Sequence, residues 1–379
     1  MHVVVLGAGY AGLTLTRLLE REFPADVEIT LVDQSPDHLV QHELHRVIRR
    51  PALASDITVS LTDAVDRATV RVARVEDVDT DARTVSLSSG SLTYDVGAIC
   101  LGAETAFYGL EGVREHATPL KSLDDAKAIR TAALGAFSQP DPRLVVGGGG
   151  LSGVQVAGEL AALAREEATD ASITLLEQYD TVAPTFPANF QRAVRSALED
   201  QGVEVKTGAT VTDADASAVG LEGDDRLRYD AFVWTGGIRG PTPLSGDRPT
   251  VRGDLRLSDR TFALGDAASV VDAEGQAVPA SAQTAVRQAR TVAENVSRLV
   301  AYDRGGDKDD FEPRLETYTF DSPGWLVSVG DDAVAQLGPT VVTGRAATAL
   351  KTTVGAGYLS SVGAIRNAVD LVGDELGRT

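Results

Sequence analysis

Cysteine, methionine and lysine are nearly absent from this chain: 379 residues carry one Cys, one Met and only five Lys. A single cysteine, Cys100, excludes an internal disulfide, a Cys-x-x-Cys redox pair and a thiolate metal site. Inside the apolar run 96–101 it reads as a small buried hydrophobe. No run of about 18 apolar residues is present, so no segment is expected to span a membrane. The first residues enter an apolar run at once, which leaves no room for a signal peptide and makes the cytoplasm the expected compartment. Positive charge is scarce as well: 35 Lys and Arg stand against 55 Asp and Glu, a net charge of −20. Such a surface repels phosphate backbones and excludes nucleic-acid binding. Acid excess with few lysines suits a high-salt (halophilic) cytoplasm, where repulsion is screened.

What is present is a hydrophobic content of 43%, and a length that allows two or three domains with real cores. The stretch from Val3 to Leu13 organises the rest. Val3 to Leu6 reads as a buried strand, and the pattern after it continues at helical spacing to Leu19. Between them Gly7, Ala8, Gly9, Tyr10, Ala11 and Gly12 form G-x-G-x-x-G. In that pattern the first glycine allows a tight turn. The second lets backbone approach a pyrophosphate, and the third lets helix and strand pack closely. The free N–H groups at the helix start favour an anion. A second strand, 28–32, ends in Asp33. That is about 20 residues past the last glycine, where a carboxylate accepts from ribose hydroxyls.

Arg143 to Leu163 repeats the arrangement. Strand 144–146 leads to Gly148, Gly150 and Gly153, then a helix, then strand 172–176 ending in Glu177. An acid there favours NADH over NADPH, because it would repel a 2′-phosphate. Two complete copies predict an α/β protein with two Rossmann-like dinucleotide-binding domains.

Elsewhere, His38, His42 and His45 share one face of a short helix expected after Pro36. No fourth ligand accompanies them, so they read as a polar face near a ligand site, and no metal is expected. A hairpin is expected from 70–78 and 84–87. Strands 94–101, 229–234 and 259–264 end in Gly102, in Gly236-Gly237 and in Gly265-Asp266-Ala267. A long helix covers 279–300, and 303–313, rich in glycine and charge, reads as a linker. The tail opens with strand-like 317–320 and 325–329. Leu350, Val354, Leu359, Val362, Ile365, Val369 and Val372 then recur near helical spacing. Such a stripe suits a membrane surface, a partner subunit or the protein's own core.

Taken in order, the first glycine loop, Leu101 to Thr105, the second glycine loop, Thr235 to Gly237 and Leu264 to Ala267 resemble the flavoprotein reductases with two dinucleotide domains. Leu120 to Ala126, Ala282 to Ala285 and the tail after Trp325 narrow the resemblance to the type II NADH:quinone oxidoreductases. The resemblance implies FAD-binding residues 1–113 with 241–312, NADH-binding residues 114–240, and a C-terminal strand and amphipathic-helix region, 313–379. It implies FAD at Gly7, Gly9, Gly12 and Asp33 with Ala8, Tyr10 and Ala11 between them, and at Val75, Gly102, Gly265, Asp266 and Ala267. It places NADH at Gly148, Gly150, Gly153, Glu177, Gly236 and Gly237. Gln283 falls at the family's quinone pocket and Lys351 in the tail helix that closes it. Gln155 stands where the family often has Glu, and Arg287 takes the last place of the family's Ala-Gln-x-Ala-x-Gln pattern.

The implied activity is hydride transfer from NADH to FAD and two electrons onward to a quinone. Peripheral contact of the tail with the cytoplasmic face of the membrane, and a homodimer, are left open. Two alternatives share the domains: a reductase of a small iron–sulfur carrier protein, and a non-catalytic NADH-sensing flavoprotein.

Overall fold

The computed structural model describes residues 1–305, 311–322 and 324–376. Two parallel sheets dominate it. Strand β1 (His2–Leu6) is followed by helix α1 (Tyr10–Glu22) and strand β2 (Glu28–Asp33). β1 lies at the middle of a six-stranded sheet, between β2 and strand Val96–Ile99. Thr69–Val72 extends that sheet beyond β2, and Thr261–Ala263 and Arg256–Ser258 complete the other side. Val3, Val4, Val5 and Leu6 are buried on both faces, as expected of a parallel strand covered by helices.

The second sheet is all parallel and built the same way. Helix α2 (Leu123–Phe137) precedes strand β3 (Arg143–Gly147), helix α3 (Leu151–Glu166) and strand β4 (Ser172–Glu177). In this sheet β3 sits between β4 and strand Ala231–Trp234, with Thr118–Pro119 and Val203–Thr207 at the edges. In each sheet a glycine loop follows the carboxyl end of a central strand, the place where open α/β sheets bind ligands.

Helix α4 (Ala282–Gly305) packs along α1. The chain then forms a three-stranded antiparallel sheet, Gly324–Val329, Asp332–Leu337 and Thr340–Thr343, and helices α5 (Arg345–Ser361) and α6 (Ile365–Leu376). Gly158, in the middle of α3, is where this tail docks: a Cβ there would run into the backbone N of Gly330.

Five expectations need correction. The run 70–78 is not one strand. Val70 belongs to the first sheet, the chain turns at Ala73-Arg74, and only Val75–Asp79 pairs with Thr84–Leu87; unbroken β propensity does not say which partner each half takes. His38 is not helical but lies on strand Asp37–Leu39, and His42 lies in a 3-10 turn, Gln41–Glu43. Residues 317–320 form no ladder, although Tyr318 is extended: its N–H donates to Gly253 O at 2.7 Å and its carbonyl accepts from Ala273 N at 3.0 Å. The expected linker begins inside α4, and its residues 306–310 lie outside the described residues. Both flanks are tied down, Asp303 and Glu312 to Arg260 at 3.2 and 2.5 Å. The apolar stripe of the tail is divided between two helices. Leu359 and Val362 are buried against the core, while Val354, Ile365 and Val369 stand 60–66% exposed.

Candidate functional site

The two glycine loops have the same backbone construction. In the first, Gly7 N donates to Val32 O at 2.7 Å and Ala8 N donates to Asp33 Oδ2 at 2.6 Å. In the second, Gly148 N donates to Leu176 O at 2.8 Å and Gly149 N donates to Glu177 Oε2 at 2.7 Å. Gly7 and Gly148 have φ of +96° and +102°, accessible to glycine at little cost. A Cβ at Gly12 would strike Gly7 O, and one at Gly153 would strike Gly148 O. Both helices start at a glycine, Gly9 or Gly150, with no side-chain cap and no acid in the first turn. Their first N–H groups are left for an anion.

The first loop opens on a cleft of about 1140 Å³. That exceeds the roughly 300–1,000 Å³ of a drug-sized site, as an extended dinucleotide requires. Gly7, Ala8, Gly9, Asp33, Val75, Gly102 and Asp266 line it. Gly265 joins three segments: its added Cβ would lie 3.2 Å from Ala11 Cβ and 3.5 Å from Ala285 Cβ. Its N–H donates at 2.8 Å to Gln288 Oε1, a buried side chain. Ala267 is buried behind it. Burial raises the carboxyl pKa of Asp33, against hydrogen bonds from the backbone of Ala8 and Ser35. Burial raises Asp266 too, partly offset by Lys121 and Arg248.

At the second loop the structure brings Gly148 against Gly236, whose Cα an added Cβ would meet at 2.7 Å. Tyr108 covers the same spot. Its hydroxyl donates to Gly236 O at 3.2 Å, and it occupies the space a Cβ on Gly237 would need. Its φ of +51° is strained for an aromatic residue.

Tyr10 does not face the cleft. Its hydroxyl meets His42 Nδ1 at 2.5 Å, and its ring packs on Tyr358 of α5 at 4.8 Å. His38 Nδ1 bonds Ala8 O at 2.8 Å, and its Nε2 meets Tyr358 Oη at 3.0 Å. Beside them is a buried ionic group. Lys351 Nζ stands 3.4 Å from Glu43 Oε2, which Arg46 also holds at 3.0 Å. Burial pushes the Glu43 carboxyl up, but Lys351, His42 and Arg46 outweigh it and keep it ionised. Arg49 Nε lies 2.8 Å from buried Glu159 and its Nη1 2.5 Å from Asp331 of the tail. Gln283 is half-buried in the first turn of α4 and Gln155 half-buried at the start of the second turn of α3. Among the described residues, no hydrogen bond or ion pair joins Gln155, Gln283 and Lys351 to one another. Arg287 is tied down, donating to Asp321 O. No cluster of three His, Cys, Asp or Glu fit for a metal ion occurs among the described residues.

Sequence reading missed Glu43, Gln288 and Tyr108. Glu43 and Tyr108 carry no motif. Gln288 follows Arg287 directly and was hidden by the family pattern, which places its glutamine one position earlier.

The chain is 26% identical over 396 aligned residues, 96% of each chain, to a type II NADH:quinone oxidoreductase of Staphylococcus aureus. Its fold matches NDH2 from Plasmodium falciparum, solved in complex with NADH, with a TM-score of 0.80, 17% identity and coverage of 98% of this chain and 97% of the other. It also matches the sulfide:quinone oxidoreductase of Aquifex aeolicus, with a TM-score of 0.79, 19% identity and coverage of 97% and 92%. The model of the pyridine nucleotide-disulphide oxidoreductases matches residues 1–289, and the chain belongs to that family.

Proposed function

We propose that this chain is an FAD-dependent NADH:quinone oxidoreductase of type II. The observation that carries this reading is the pair of identically built glycine loops, the first opening on a dinucleotide-sized cleft. A relative of that name spans 96% of both chains. FAD fits the first loop: the uncapped start of α1, the crowding that admits only glycine at Gly12, and the Asp33 carboxylate are what a dinucleotide needs. When bound, FAD supplies acceptance of a hydride and release of electrons in turn.

The residues do the rest. Gly7 to Gly12 hold the diphosphate, Asp33 the ribose, Val75 the adenine, and Gly102 and Gly265 to Ala267 flank the flavin. Gly148, Gly150, Gly153 and Glu177 hold NADH, and Gly236 and Gly237 pass close to it. Gln283, Gln155 and Lys351 are assigned to the acceptor side. Residues 1–113 with 241–312 then form the FAD unit, 114–240 the NADH unit and 313–379 the tail. A redox cysteine pair is not needed for this chemistry, and Cys100, buried with its thiol pKa pushed up by desolvation, is unfit for nucleophilic work.

No helix among the described residues is long and apolar enough to cross a membrane. Exposed Val354, Ile365 and Val369 suit peripheral contact of the tail with the membrane that holds the quinone, or a dimer. The test is an anaerobic NADH titration in molar potassium chloride, read in the flavin band. Stoichiometric bleaching, reversed by a soluble quinone, is the expected result. A yellow protein that NADH does not bleach overturns the reading.

A further inference from the structure

Among the described residues, five cationic side chains line the cleft: Arg74, Arg114, Lys121, Lys127 and Arg239. Four have a carboxylate partner. Arg74 pairs with Glu76 at 3.3 Å, Arg114 with Glu111 at 3.6 Å, Lys127 with Asp124 at 3.3 Å, and Arg239 with Glu104. Lys121 is the exception: among the described residues its ammonium has no hydrogen bond or ion pair. It is also half-buried, so water compensates it poorly.

The root of this side chain is fixed. Lys121 N donates to Asp125 Oδ2 at 2.9 Å, in the capping box that starts α2. Two residues earlier Pro119 pairs with Trp234, an edge of the second sheet. Lys121 thus reaches into the cleft from the second sheet, toward Asp266 of the loop beside α1. Asp266 attracts its charge and Arg248 repels it. Arg248 itself is committed to Asp266 O at 2.8 Å and Ala268 O at 2.7 Å. Lys121 and Asp266 therefore mark the point where the two halves of the fold meet. The diphosphate already has the start of α1, and Asp266 is assigned to the flavin end of the cleft, so a group met by Lys121 beside Asp266 belongs at the reactive end.

We propose that the Lys121 ammonium faces the flavin ring and offsets the negative charge that a hydride brings to it. The inference rests on the functional reading above. One C–H bond breaks at the nicotinamide and one N–H bond forms at the ring. Two electrons and one proton cross together, so the ring side gains a single negative charge. Lys121 keeps its protons and acts only as the counter-charge, an electrostatic arrangement fixed before reaction.

The test uses the FAD-loaded protein and its Lys121→Met and Lys121→Arg variants. The readouts are the dissociation constants for FAD and for sulfite, which adds to the flavin ring as an anion, and the flavin midpoint potential. For Lys121→Met we expect FAD affinity within about threefold of the parent, sulfite binding at least tenfold weaker, and a midpoint about 30 mV lower, the two-electron equivalent of tenfold. Lys121→Arg keeps most of both. Unchanged sulfite binding and potential in a Lys121→Met protein that NADH still bleaches overturn the inference and leave the functional reading standing. A tenfold loss of FAD affinity at unchanged potential places Lys121 on the diphosphate and also overturns it. If Lys121→Met does not fold, Lys121→Gln carries the same readings. A parent protein that takes up no FAD overturns the functional reading itself.

Discussion

The ammonium of Lys351 stands 3.4 Å from the carboxylate of Glu43, both buried, and the contact ties helix α5 of the tail to the 3-10 turn Gln41–Glu43. Removing Lys351 takes one of two cations from buried Glu43 and leaves Arg46 at 3.0 Å. Lys351→Met is expected to destabilise the protein by about 1–3 kcal/mol. Glu43→Gln is expected to destabilise as well, by taking from Lys351 the carboxylate that holds it. The double variant recovers part of the loss, which urea unfolding of all four proteins will show.

On the proposed assignment, variants of the two glycine loops would tell the FAD site from the NADH site. Gly12→Ala drives a methyl into Gly7 O and is expected to yield protein with at most a tenth of the parent's flavin. Gly153→Ala drives one into Gly148 O and is expected to keep flavin while losing bleaching by NADH at parent concentrations. Absorbance of the purified proteins and a stopped-flow reduction distinguish the outcomes.

On the proposed assignment, Glu177 would set the choice of nucleotide. Its Oε2 accepts from Gly149 N at 2.7 Å and its Oε1 from Tyr179 N at 2.9 Å, so the carboxylate is held in place rather than free to turn away from a 2′-phosphate. The parent is expected to prefer NADH over NADPH by more than tenfold in kcat/KM. Glu177→Gln removes the charge and narrows that ratio, mainly through a lower KM for NADPH.

Stability should fall in mild acid. Burial lowers the His38 pKa to about 4, and burial lowers His42 and His45 as well. The unfolded chain takes up these protons near pH 6.5, while folded His38 waits until about 4. Stability is therefore complete above about pH 6.5 and is lost as pH falls toward 4. The share of His38 is about 2 kcal/mol at pH 5. Urea unfolding at pH 7.5 and pH 5 measures the slope, and His38→Asn flattens it by that share.

Cys100 should be silent. It is buried against the glycine loop, with its Cβ 3.2 Å from the position of an added Cβ on Gly12. A thiol reagent is expected to label it only after denaturation, and Cys100→Ala is expected to retain reduction by NADH.

Much of this was legible in the sequence because local chemistry determined it. Gly7, Gly12, Gly148 and Gly153 stand where any side chain would meet a carbonyl or a neighbouring strand, so the pattern is steric and shows in the residues themselves. Asp33 and Glu177 were placed by the spacing that ends a second strand. What was not legible depends on distant partners. Glu43 looks like any surface acid until Lys351, some three hundred residues later, comes to lie on it. His38, His42 and His45 share helical spacing, yet the first is drawn into a strand by pairing with Val59. The tail stripe has one period but two helices, because Gly363, at φ +86°, turns the chain between them.

The first sheet borrows strands from far down the chain, and this sets an order of events during synthesis. Strand Val96–Ile99 meets its neighbour Thr261–Ala263 only when the ribosome has released the latter. All five strands of the second sheet, from Thr118 to Thr207 and Trp234, emerge in between. At about 5–20 residues per second the nascent first sheet carries an open edge for on the order of ten seconds, while the second is already complete. The half that carries the opening motif begins first and finishes later, and an unpaired apolar edge is its exposure to aggregation in the meantime.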